Sequence, residues 1–190
     1  IMPHFKTDIL QHASFTAETF KAINSIPKEK LLVLDNIMPP FSPDIAAVYQ
    51  EFDTDIYEAL HKGIYKISKY KKVILIYPER SIYPFPKRIL HGFKKFCIEN
   101  SVNYEILEEV FDEMEFKQGD LFIVIEESDL VNLINQLRKK ELILGEDGVI
   151  SYNDTPLKAL FGIAVMSTDF KIMGETAAHM ILNSEKRQGE

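Results

Sequence analysis

The stretch Val73-Ile74-Leu75-Ile76-Tyr77, closed by Pro78, decides how this chain is read. It is apolar at every position, without the polar alternation of a strand that faces water on one side. Such a run suits a strand covered on both faces, which is the mark of a parallel sheet. Similar runs lie to either side: Leu31-Leu32-Val33-Leu34-Asp35, Leu121-Phe122-Ile123-Val124-Ile125, Gly148-Val149-Ile150-Ser151-Tyr152 and Gly162-Ile163-Ala164-Val165-Met166-Ser167. Helical patterns separate them. Asp53 to Lys69 carries Ile56, Tyr57, Leu60, Ile64 and Ile67 at helical spacing, and Pro86 to Asn100 carries Ile89, Leu90, Phe93, Phe96 and Cys97. Ser128 to Lys140 opens on a serine suited to capping and closes on basic residues that suit the helix dipole. Asp169 to Asn183 is the last helical pattern. Strands alternating with helices predict βαβ units and an α/β fold with parallel sheets.

In open parallel sheets, ligands bind beyond the carboxyl ends of the strands. The residues that follow the apolar runs are therefore the first candidates for function. They are Asp35-Asn36, Pro78-Glu79-Arg80, Glu126-Glu127-Ser128, Asn153-Asp154-Thr155 and Ser167-Thr168-Asp169. All these segments are polar and none is glycine-rich. The proline-bearing stretch Asn36 to Asp44 reads as a connection or hinge.

Composition narrows the function classes. With 190 residues the chain is long enough to bury a core without staples, and 46% hydrophobic content argues against wholesale disorder. A net charge of -7 with only short basic clusters makes it a poor nucleic-acid binder by itself. The one cysteine, Cys97, excludes an internal disulfide framework and reads as a small buried hydrophobe. Glycine-rich phosphate cradles, a GxSxG elbow and HExxH spacing are all missing. The sequence therefore predicts no catalytic residues, no metal and no cofactor. The acidic stretch Glu105 to Glu115 reads as a surface segment running from strand to loop. No apolar run reaches the length of a membrane-spanning helix, and no signal peptide begins the chain.

Two late segments carry a resemblance: Gly148-Val149-Ile150-Ser151-Tyr152-Asn153-Asp154-Thr155-Pro156-Leu157-Lys158, and Gly162 to Gly174, which contains Ser167-Thr168-Asp169-Phe170. With Met2-Pro3-His4-Phe5, Ile26 to Asp35 and Gly92 to Cys97, they resemble the C-terminal effector domain of GntR-family regulators of Bacteroidetes. More distantly they resemble lactose-repressor-type domains. The resemblance implies a periplasmic-binding-protein-like type I fold, with two parallel-sheet α/β lobes and a ligand cleft. It places lobe 1 at residues 1–68 and 168–190 and lobe 2 at 69–167. It further implies a cytoplasmic homodimer and a winged-helix DNA-binding domain ahead of this piece, matching the abrupt opening at Ile1-Met2-Pro3.

The same resemblance implies a small-molecule effector, a monosaccharide or derivative, held by Glu51, Phe52, Tyr77, Lys87, Arg88, Glu126, Asn153 and Asp154. Sugar hydroxyls both donate and accept, so carboxylates, amides and cationic groups suit them, with an aromatic face for the ring. Tyr49, Phe52, Tyr77 and Tyr83 are the candidates for that face. The function implied is a ligand-sensing domain that controls DNA binding of the attached domain, with no membrane partner. Two alternatives share the pattern: an extracytoplasmic sugar-binding protein of a transporter and a small α/β sugar-processing enzyme.

Overall fold

Strand β3 (Lys72–Ile76) is buried at four of its five positions, as its uninterrupted apolar run predicts. The structure is a computed structural model that describes residues 17–35, 44–79, 85–140 and 148–188, with side chains described up to 183. Met2-Pro3-His4-Phe5, the prolines of the Asn36 to Asp44 connection, Arg80 and Tyr83 lie outside the described residues. The chain divides into two compact units, Ile1–Glu51 with Thr168–Glu190, and Phe52–Ser167.

The second unit holds a five-stranded parallel sheet in the order β4-β3-β5-β6-β7. Its other strands are β4 (Tyr104–Leu107), β5 (Asp120–Val124), β6 (Val149–Tyr152) and β7 (Ala164–Met166). Successive side chains of a strand point to opposite faces, and the core divides accordingly. Val73, Leu75, Leu121 and Ile123 enter one apolar layer with Ile56 and Leu60 of α2 (Phe52–Lys62) and with Ile89, Phe93 and Phe96 of α4 (Arg88–Glu99). Ile74, Ile76, Phe122 and Val124 enter the opposite layer with Leu130, Leu133 and Leu137 of α5 (Glu127–Lys139). Helices therefore cover both faces of β3 and β5, which are apolar and buried from their second position onward.

Helices α2 and α4 meet backbone to backbone at Gly92. A Cβ there would lie 2.1 Å from the Asp53 carbonyl oxygen and 2.6 Å from Ile56 Cγ2. The resemblance implies a boundary near residue 68; the division into compact units falls between Glu51 and Phe52, and α2 packs into the core of the second unit.

Other expectations are also corrected. The helix expected over Asp53 to Lys69 breaks at Gly63, and α3 (Ile64–Ile67) follows. Helix α5 starts before Ser128: Glu126, still extended at φ -98° and ψ 142°, is its N-cap residue, without a capping side-chain bond. The acidic stretch runs from strand to surface loop as expected, with its carboxylates exposed, and two apolar residues anchor it. Val110 and Met114 are buried, and the Asp129 carboxylate accepts the Val110 N–H at 2.9 Å. Gln136 accepts the Met114 N–H at 3.1 Å and donates to the Phe111 carbonyl at 2.8 Å.

The first unit pairs β1 (Leu32–Asp35) with β2 (Ala46–Tyr49) in parallel, with Val33 opposite Ala47. Helices α1 (Ala17–Asn24) and α7 (Phe170–Gln188) belong to this unit, and α7 packs on both strands. Ile23, Leu31, Val33 and Ile45 form its described core.

Candidate functional site

Strand β3 has β4 on one side and β5 on the other, so the direction of strand addition reverses between β3 and β5. Such a reversal opens a crevice at the carboxyl ends of the two strands. The rim at that end carries Pro78 and Glu79 after β3, Glu126 after β5, and Asn153 and Asp154 after β6. Val124 pairs with Ser151, so Glu126 and Asn153, each two residues further on, extend the same register.

The rim residues fall into two groups. Glu126 is half-buried, and Asn153 and Asp154 are exposed. Among the described residues the side chains of these three make no hydrogen bond or ion pair. The groups beneath and beside them are committed. Lys158, on α6 (Pro156–Leu160), is 4% exposed and donates from Nζ to the carbonyls of Tyr152 and Asn153, both at 3.0 Å. The Asn153 N–H donates to the Met166 carbonyl at 2.7 Å. Thr155 caps α6 by accepting the Lys158 N–H at 3.4 Å, and Pro156 opens that helix, where a missing N–H costs nothing.

The remaining predicted residues are placed less uniformly. Tyr77 is 2% exposed, and its hydroxyl donates to the Phe85 carbonyl at 2.6 Å. Burial, and then the charge of Glu79, push that hydroxyl up to about 12. Its ring is part of the core, so the expectation of an aromatic face for a ligand does not hold for Tyr77. Phe52 is half-buried against the same apolar layer. Arg88 is engaged with Asp53, at 2.5 Å. Burial raises the Asp53 carboxyl, but hydrogen bonds from Arg88 and from the backbone N–H groups of Asp53 and Thr54 prevail and hold it below its ordinary value. Lys87 is exposed at the N-cap position of α4. Glu51 is exposed and belongs to the first unit. Cys97 is fully buried, as expected, and burial alone pushes its thiol up to about 12.

The first unit has a polar cluster at the carboxyl ends of its own strands. The Gln50 side chain donates to Asp35 Oδ1, and its Oε1 accepts from the Thr168 hydroxyl at 2.6 Å. Asp35 has φ 76°, a left-handed conformation that carboxylate and amide residues adopt more readily than most. Neither Gln50 nor Lys158 stands out in the sequence. Lys158 lies inside the Ser151 to Lys158 motif, but a lysine after a proline on a short helix gives no sign of burial. Among the described residues no group of three or more His, Cys, Asp or Glu is placed to hold a metal ion, and no helix is long and apolar enough to cross a membrane.

The architecture recurs in solved structures. A dimeric lac repressor with a C-terminal deletion and a single lysine-to-leucine substitution matches with a TM-score of 0.62 and 14% identity, over 97% of this chain and 69% of that one. A sugar-binding transcriptional regulator of the LacI family from Escherichia coli, complexed with phosphate, matches with a TM-score of 0.64 and 10% identity, over 89% and 65%. The lac repressor bound to ONPG in its repressed state matches with a TM-score of 0.54 and 15% identity, over 82% of this chain. This chain spans only 51% of that repressor's length. No protein-family model and no curated protein sequence matches the chain. The fold is therefore the parallel α/β fold of LacI-type, periplasmic-binding-protein-like domains.

Proposed function

We propose that this chain is the effector-binding part of a cytoplasmic transcription regulator of the GntR type, and not an enzyme. Its effector is a monosaccharide or a sugar derivative, and its DNA contacts come from a winged-helix domain elsewhere in the longer protein. The regulator works as a homodimer. The observation that carries this reading is the uncommitted set Glu126, Asn153 and Asp154. It lies at the carboxyl rim of a sheet whose fold is shared with a sugar-binding regulator. Two carboxylates and an amide offer acceptors for sugar hydroxyls, and the amide adds donors. Lys87 is an exposed cation of the predicted site.

A thermal-shift screen of monosaccharides on the full-length protein tests the reading. A cognate sugar at about 100 times its Kd stabilises by about 2.7 kcal/mol. Glu126→Gln combined with Asn153→Ala is expected to weaken that sugar by at least about tenfold, since unpaired polar groups on the sugar are costly to bury. An unchanged shift in the double variant removes the rim as the site, and turnover of a sugar removes the regulatory reading.

A further inference from the structure

Lys158 places an ammonium group where almost no water reaches it, at 4% exposure. A buried charge is costly unless its protons find acceptors. Two do: the carbonyl oxygens of Tyr152 and Asn153, each 3.0 Å from Nζ. Those carbonyls are consecutive, belonging to the last residue of β6 and the first residue beyond it. Asn153 turns there at φ 62°, a conformation that glycine enters freely and asparagine enters with some strain. The corner is held from both sides. Its N–H is fixed by the Met166 carbonyl at 2.7 Å, and its carbonyl by Lys158. The side chains of Asn153 and Asp154 stay uncommitted among the described residues.

We propose that Lys158 is a positioning residue of the ligand site. Its ammonium locks the left-handed corner that presents Asn153 and Asp154 at the rim. This rests on reading the rim as the ligand site, but the locking itself is testable without a ligand. A lysine that merely fills space would give the same burial without coupling to the conformation of Asn153.

Chemical denaturation of the full-length wild type, Lys158→Met, Asn153→Gly and the double variant separates the two. Lys158→Met keeps the apolar stem and removes the donors. An Asn153 held in its strained conformation by Lys158 relaxes when the lock is lost, whereas glycine has no strain to release, so the folding constant of the double variant is expected to fall short of the product of the single losses by about tenfold. Agreement with that product within about twofold overturns the proposal. If Lys158→Met does not fold, wild-type nitrogen-15 NMR decides. Locked ammonium protons exchange slowly and show couplings through the hydrogen bonds to the carbonyl carbons of residues 152 and 153, whereas fast exchange without couplings overturns the proposal. Titration with D-galactose, L-arabinose and L-fucose keeps the two readings apart. A sugar held equally by wild type and Lys158→Met overturns the positioning role. Coupling between Lys158 and Asn153 in a protein that none of the three sugars stabilises supports the lock and counts against the sugar reading.

Discussion

The two units build their sheets from strands of similar length and bury them very differently. In the second unit β3 and β5 are each buried at four of five positions, with helices on both faces. In the first unit β1 buries one residue of four, and β2 has none in the buried class. A strand covered on both faces leaves few positions for polar residues, so it announces itself in sequence. The strands of the first unit are less buried, and the residues of β2 are small and mixed.

Alkaline titration sharpens this comparison most. Burial is the leading cause that pushes Tyr77, Cys97 and Tyr152 up to about 12, and all three lie in the second unit. Each is held in its neutral form in the fold, while the unfolded chain releases the proton near its ordinary value. The stability they contribute is therefore complete below pH of about 8.5 and is lost as pH rises toward about 12. Circular dichroism followed across that range is expected to show cooperative loss of the second unit's structure, accompanied by tyrosinate absorption. Gradual tyrosine ionisation with the structure intact would mean that these side chains are accessible after all.

Phe96→Ala comes next. The ring is fully buried between α4 and the sheet, and its loss is expected to cost about 3–5 kcal/mol in urea unfolding. A cost below about 1 kcal/mol would show a core loose enough to collapse around the hole. The smallest effect belongs to the first unit. Val33→Ala removes two buried methyl equivalents and is expected to cost about 1.5 kcal/mol, read locally by amide exchange in β1 and β2. Equal costs for Phe96 and Val33 would erase the contrast between the units.

The same contrast explains what can be read from the sequence. The runs at Val73 and Leu121 are apolar without interruption, that at Val149 is broken only by Ser151, and all are readable as buried parallel strands, from which follow the α/β class and the carboxyl rim. Strand β2 is not readable. Ala46-Ala47-Val48-Tyr49 offers little apolar bulk, and its strand identity comes from pairing with β1. The break at Gly63 and the early start of α5 depend on tertiary fit rather than on local preference. Among the candidate residues, the rim positions of Glu126, Asn153 and Asp154 are legible because position after a strand is a local property. Tyr77 misleads, because an aromatic residue at a strand end looks alike whether its ring faces a ligand or the core. Lys158 and Gln50 are hidden for a related reason: sequence gives residue type, whereas their roles depend on which carbonyl or amide the fold brings within reach.

The glycine at position 92 has a mechanical consequence. Most helix pairs touch through a cushion of side chains whose rotamers absorb small displacements, and this lets them slide. Where α2 crosses α4 there is no cushion, because the Asp53 carbonyl sits where a Cβ would be. The crossing behaves as a weld. Force arriving at the start of α2, where the chain enters the second unit, passes to α4 without slack, and the two helices shift as one piece or not at all.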